Sequence, residues 1–464
     1  MKPRSSSPEV SGPLAQKSLA EPAFGALLAI AAAVVALTCA GSGAVARVPS
    51  PRPASVDAPR GAAPEVKQGL TAAATDGSPP HHVAAPSTPP RAPELRRFFS
   101  ALEALERHER SESVRVLWFG DSHTSADYLT GAVRSALTRH YGSGGPGFVR
   151  LGVAPYRHDL ATLNRIGRFR LEPEPPSRRS LQDDGVFGLG GIRALPHAGP
   201  VKMTVKVGSR AATGPLKFRL LFELPQGSAF HVSVGDQSLL VGDRTRVERV
   251  PGSPILRVEL TAEPGSVLTV EVRKGRPRFY GVIVEGAQPG VVLDTLGIDG
   301  ARVATALAWS EAPFEAEVAA RRPELVTLAY GTNEAFDEQN VEAYDGQLSD
   351  LLGRLRRAAP AADCLVLGPP DALASNGETQ PRVALISNVY ARVAARLGCA
   401  FASGQALMGG PGAFGSWLRE DPPLSRSDRI HLTPRGYRRL GELLAASVFG
   451  EPLPALEGTD KNSP

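Results

Sequence analysis

A chain of 464 residues is too long for one small core, so two folded domains plus tails are expected. The formal net charge of +5 is modest, charged residues make up 21% of the chain, and the basic ones are scattered. The basic pairs in Arg96–Phe99 and Leu355–Pro360 fall in helical patterns and read as solvated faces; no basic block interleaves with aromatics, which argues against nucleic acid as a partner.

Residues 1–46 join a polar start, with Lys2, Arg4 and Lys17, to an uncharged apolar run, Ala23–Ala40, and an A-x-A pattern at Ala44-Val45-Ala46. This reads as a cleaved signal peptide or as an uncleaved signal anchor tethering the chain to a membrane through residues 23–40. A lipoprotein reading through Cys39 is weaker, because Leu37-Thr38 lacks the small residues such a site prefers. All three readings export the rest, to the periplasm or cell envelope. Residues 47–93 are rich in Pro, Ala, Ser and Val without an apolar period, so they read as a disordered, semi-extended linker.

The first part of the folded region spans 94–150. Glu94–Arg110 is an expected helix with Leu95, Phe98, Phe99, Leu102 and Leu105 on one face. An apolar run, Val114–Phe119, then stops at Gly120-Asp121-Ser122, and an amphipathic pattern runs from Thr124 to about His140. That order predicts a buried strand, a tight turn and a helix. The Gly-rich stretch 142–147 lacks the Lys-Ser/Thr of a phosphate loop and reads as a helix stop and turn.

Between 151 and 288 the period changes. Val201–Val207, Leu216–Leu224, Ala229–Val234, Ile255–Ala262, Ser266–Val272 and Phe279–Glu285 alternate apolar and polar residues between Gly/Pro/Asp turns. This predicts an inserted antiparallel β-sandwich. From 289 to 450 strands and helices alternate: Val291–Leu296, Ala301–Arg321, Glu324–Tyr330, Gln339–Ala358, Cys364–Pro369, Gln380–Leu397, Cys399–Ala402 and Pro434–Phe449. Residues 451–464 read as a disordered tail. The fold class is α/β: a three-layer, flavodoxin-like parallel sheet with the sandwich inserted into it.

Cys364 and Cys399 each open a strand of that sheet. Two buried reduced thiols are the expectation, with pairing in an oxidising compartment as the alternative. No CxxC or Cys/His spacing is present, so no metal and no cofactor is expected.

Four strand ends or turns carry chemistry-bearing residues: Gly120–His123, Gly297–Gly300, Gly331–Glu334 and Asp428–Thr433. The first three follow apolar strands, and in a parallel sheet the carboxyl ends of strands share one edge, where ligands bind. Asp428 and His431 are spaced so that a carboxylate at a tight turn can hold the imidazole Nδ1–H, leaving Nε2 to take a proton from Ser122. An ester carbonyl attacked by Ser122 becomes an oxyanion; the N–H of Ser122, the N–H of Gly300 and the side-chain amide of Asn333 are candidate donors. His123 reads as lining the site rather than as the base, and His140, His158, His197 and His231 as structural or surface residues.

These blocks, GDS at 120–122, the glycine of GIDGA at 300, GTNE at 331–334 and DRIH at 428–431, resemble the ordered blocks of the SGNH/GDSL hydrolase superfamily over roughly 112–150 and 287–450. The resemblance implies Ser122 as nucleophile and first oxyanion donor, Gly300 and Asn333 as the other donors, and Asp428 and His431 as the rest of a triad. Glu334 stands where many members have Asp, and the insertion separates the first two blocks unusually far. GDSHT with a Gly-rich GxGF turn and a β insertion is similar to envelope-associated peptidoglycan O-acetylesterases, whose β module resembles a carbohydrate-binding module. The segment itself holds Tyr156 and Tyr280 but no Trp, so a substrate-shaping role stands beside glycan binding. The implied activity is removal of acetyl groups from an acetylated envelope polysaccharide; an O-acetyltransferase with the same triad and a non-catalytic glycan binder are the rivals.

Overall fold

The computed structural model describes residues 92–453 apart from 180–182 and 210. The signal or anchor segment, Cys39, nearly all of the linker and most of the tail lie outside the described residues. No helix among the described residues is long and apolar enough to cross a membrane.

Five parallel strands form the central sheet, in the spatial order Val291–Gly297, Val114–Gly120, Leu325–Ala329, Asp363–Gly368 and Ala400–Ser403. The chain therefore begins inside the sheet, builds one edge, then crosses back and builds the other. The reversal falls between Val114–Gly120 and Leu325–Ala329, and ligand crevices open outside the carboxyl ends of strands at such a switch point. Every residue of Val114–Gly120 is buried. Val116 and Trp118 face one layer, with Phe98, Leu102, Leu137 and Leu440. Leu117 and Phe119 face the other, with Phe314, Leu348 and Val389. Strand periodicity of two thus splits one apolar run between two cores.

The expected helix after Ser122 is in fact two. A single turn, Ser122–Ser125, is capped by the Asp121 carboxylate, which accepts the His123 N–H at 3.0 Å; the long helix, Leu129–Tyr141, starts after a break. The break sits at Asp127, whose φ is 52°. Its carboxylate is fully buried and accepts from Arg134 (2.9 and 3.0 Å), Thr295 (2.6 Å), Thr130 (2.5 Å) and the Asp159 N–H (2.7 Å). Tertiary hydrogen bonds outweigh the helical pattern there. Ala301–Arg321 likewise divides, into Val303–Leu307 and Glu311–Arg321, because Pro313 can sit only in a first turn.

The inserted region holds two antiparallel sheets, of seven and five strands. The first begins at Gly147–Val149, which pairs with Arg278–Gly286, so its hydrogen bonding starts inside the segment read above as the first α/β part. Phe218, Leu220 and Phe222 point toward Val205, Phe230 and Val270 of the facing sheet and form the sandwich core. The alternate residues Leu221, Tyr280 and Ile283, with Phe148, turn the other way and join Phe119, Phe314 and Val318 in the α/β core. The insertion shares a hydrophobic core with the parallel sheet; deleting it would expose that core.

The expectation of two reduced thiols is overturned. Cys364 and Cys399 open adjacent strands, their Cα atoms lie 4.8 Å apart, and they form a disulfide.

Candidate active site

Gly120 ends the first strand with almost no room around it: a Cβ there would meet Thr124 Oγ1 at 2.2 Å and the Ala329 carbonyl oxygen at 2.7 Å. That close approach lets the chain turn sharply and present Ser122 at the sheet edge with its N–H in the first, unsatisfied turn of a helix. Ser122 Oγ lies 2.9 Å from His431 Nε2. His431 Nδ1 lies 3.0 Å from Asp428 Oδ2. Asp428 Oδ1 accepts the backbone N–H groups of Ile430 at 3.0 Å and His431 at 2.8 Å. Burial works against the Asp428 anion, but those two N–H groups and the imidazole outweigh it and hold the carboxyl below its ordinary range. The loop Asp428–His431 folds over the sheet edge, held by Thr433, which caps the last helix, Pro434–Leu444, and donates to the Pro423 carbonyl.

Ser122, Gly300, Asn333 and His431 line one cleft of about 430 Å³, together with Tyr128 and Arg426. Asp428 stands behind His431, so all five residues singled out in the sequence come together. Gly300 has φ 73°, a conformation that favours glycine, and Arg302 donates to its carbonyl at 3.1 Å. Asn333 Nδ2 donates one hydrogen to the Ala301 carbonyl at 2.9 Å, which leaves the second for the cleft.

The supports of this site were not read from the sequence. Glu334 is fully buried and accepts the N–H of Gly331 at 3.1 Å and of Val303 at 2.9 Å, so one carboxylate ties the Asn333 turn to the Gly300 loop. Glutamate in place of the commoner Asp therefore still serves as a brace. Arg302 is gripped bidentately by Asp337 (2.6 and 2.7 Å). Thr305 donates to the Ser177 carbonyl at 3.0 Å, which brings an insertion loop beside Gly300. Only the Gly331–Glu334 contact is local, three residues long; the other pairs are separated by 31 to 128 residues, and no local pattern announces them.

His123 does not line the cleft. It is 5% exposed, packs beneath His431 at 5.6 Å between ring centroids, and its Nδ1 is hydrogen bonded to the Tyr437 hydroxyl at 3.1 Å. Burial, then the charge of His431, pushes it down to about 3, so it stays neutral. Asp121 is pushed up to about 7 by burial, against the His123 N–H, with the charge of Glu334 adding to the rise. Tyr280 is 1% exposed and Tyr156 is half-buried against the sandwich core, so neither offers a flat open ring for stacking on a sugar. Among the described residues no group of His, Cys, Asp and Glu is arranged to hold a metal. The arrangement can activate a hydroxyl, and it places hydrogen-bond donors beside that hydroxyl where a carbonyl oxygen would gain charge.

Comparison with known proteins agrees with that chemistry. Residues 260–439 match the model of the GDSL-like lipase/acylhydrolase family, a span that includes Gly300, Asn333, Asp428 and His431. No curated protein sequence matches the chain. Among solved structures, a peptidoglycan O-acetylesterase is 25% identical, covering 76% of this chain and 94% of its own, at a TM-score of 0.63. A lipase/acylhydrolase from Enterococcus faecalis (20% identity, 34% of this chain and 74% of its own, TM-score 0.27) and an acetyl xylan esterase (17%, 35% and 82%, 0.28) overlap too little to weigh. The chain is a carboxylic ester hydrolase whose residues 260–439 match the GDSL-like lipase/acylhydrolase family, and it is similar in sequence and fold to a peptidoglycan O-acetylesterase.

Proposed function

We propose that this chain is an exported serine acetylesterase that removes O-acetyl groups from a cell-envelope polysaccharide, in the first instance peptidoglycan. The observation that carries the reading is the 2.9 Å contact of Ser122 Oγ with His431 Nε2, continued at 3.0 Å to Asp428. His431 takes the Ser122 proton as Oγ attacks the acetyl carbonyl; the N–H groups of Ser122 and Gly300 and the Asn333 amide receive the oxyanion. The protonated imidazole then gives its proton to the departing sugar oxygen. Water, deprotonated by the same ring, releases acetate from the acyl-enzyme.

The His431 side chain is 36% exposed, so water reaches the general base, which favours water as acceptor over a second sugar. Export is supported by the apolar run 23–40 and by the Cys364–Cys399 disulfide, a bond that persists in oxidising compartments. The substrate is supported by the similarity to a peptidoglycan O-acetylesterase. The test is acetate release from O-acetylated peptidoglycan by the full chain beside Ser122→Ala. Release by the wild type alone is expected. Silence on the polymer with turnover of simple esters would move the substrate elsewhere, and acetyl transfer to added glycan would make the chain a transferase.

A further inference from the structure

The catalytic cleft continues away from Ser122. Tyr128 lines it and also lines a second, larger bay of about 520 Å³, between the helix Leu129–Tyr141 and the inserted region's Arg157 and Asp159. Arg139, Arg438 and Glu442 line that bay and a third, of about 890 Å³, that reaches Trp417 and Arg435. Each bay alone is the size of a small-ligand pocket. The second bay follows a 13-residue helix, about 20 Å long at 1.5 Å per residue, and the third opens beside Arg139 near its far end. A single small ester has no use for such a path; an extended chain does.

The path is also charged. Arg157 stacks on Tyr128 at 3.8 Å from the ring centroid and pairs with Asp159 at 2.7 Å. Farther along, Arg139, Arg435, Arg438 and Arg439 make no ion pair among the described residues, and only Glu442 and Glu420 stand against them. Four arginines against two glutamates leave the path net basic, which favours planar carboxylates on the occupant.

We propose that this groove binds the continuation of a polymeric, carboxylate-bearing glycan whose O-acetyl group lies at Ser122, with the inserted region supplying one wall through Arg157 and Asp159. This rests on the acetylesterase reading above and names the part of the substrate that the site leaves unaddressed. It also gives the insertion a task without a stacking platform of its own.

The test compares the double variant R139E/R438E with a charge-matched pair on exposed strands of the five-stranded sheet, K206E/K274E. The readout is the ratio of kcat/KM on O-acetylated peptidoglycan to that on p-nitrophenyl acetate. A fall of about tenfold in the groove variant, through KM, with the control pair at the wild-type ratio, is expected. An unchanged ratio, or an equal fall in the control, would overturn the groove. If the wild type releases no acetate from the polymer, the acetylesterase reading fails separately. The groove is then judged by co-sedimentation of Ser122→Ala with peptidoglycan: retention lost on adding R139E/R438E supports it. Unaltered retention, or wild-type binding to phosphatidylglycerol vesicles and not to the glycan, refutes it.

Discussion

Replacing Asp428 by Asn separates its two jobs. One oxygen holds the loop by accepting the Ile430 and His431 N–H groups at 3.0 and 2.8 Å, which an amide oxygen can also do. The other faces His431 Nδ1 at 3.0 Å, and there the amide presents N–H instead. The imidazole must then accept at Nδ1 and carry its proton on Nε2, facing Ser122, which is the wrong tautomer for a base. In a deeply enclosed triad that exchange costs about 10⁴ in kcat. Here the Asp428 side chain is 45% exposed, so solvent screens its charge and the loss should fall at about 10² to 10⁴. Because Asp428 does not line the cleft, the loss should appear in kcat and leave KM near its wild-type value. The assay is steady-state hydrolysis of p-nitrophenyl acetate, with circular dichroism and urea unfolding to show an intact fold. A folded Asp428→Asn variant with wild-type kcat would refute the reasoning, and with it the assignment of His431 as the base.

Three further outcomes follow from the same geometry. Asn333→Ala should lower kcat by about 10² to 10³, the usual cost of one oxyanion donor, measured on the same ester. Asp127→Ala should destabilise the fold by about 3–5 kcal/mol in urea unfolding, because it leaves the buried Arg134 guanidinium without its counter-charge. Stability should also fall with acid. His123 and His158 are held neutral down to about 3 and about 4, so as pH drops below 6.5 the unfolded chain takes up two protons that the fold refuses. Asp121, raised to about 7, and Glu334, raised by burial, take up protons in the fold and oppose them, so the net slope lies below two protons, under about 2.7 kcal/mol per pH unit. Urea midpoints across the window should show that slope, steeper in Asp121→Asn; a flat profile in both would contradict it.

What the sequence disclosed, and what it did not, follows from the range of the forces involved. Val114–Phe119 was legible because an apolar run ending at Gly-Asp-Ser is a local signal, and Asp428 and His431 because their pairing is three residues long. The glycine and asparagine of the second and third blocks could be placed because parallel strands deliver their ends to one edge. The break at Asp127 was not legible: Ala126-Asp127-Tyr128 contains no helix breaker, and the cause is a carboxylate captured by Arg134 and Thr295. The division before Glu311 was legible in principle, since Pro313 belongs in a first turn. Strands such as Ala161–Ile166 and Gln237–Val241 escaped because they lie at sheet edges with most side chains in solvent, which erases the alternation. The disulfide depends on which strands become neighbours, and the Glu334 brace on two loops meeting. Neither can be read from one stretch of chain.

The central claim is that Ser122 is the residue that becomes acylated. It is tested most directly by quenching the enzyme in acid during turnover of p-nitrophenyl acetate and locating the acyl group by peptide mass spectrometry. The account predicts one acetyl group on the peptide bearing Ser122, accumulating further in His431→Ala if that variant still acylates, and absent in Ser122→Ala. An acetyl group trapped on any other residue during turnover, or hydrolysis persisting at the wild-type rate in Ser122→Ala, would contradict it.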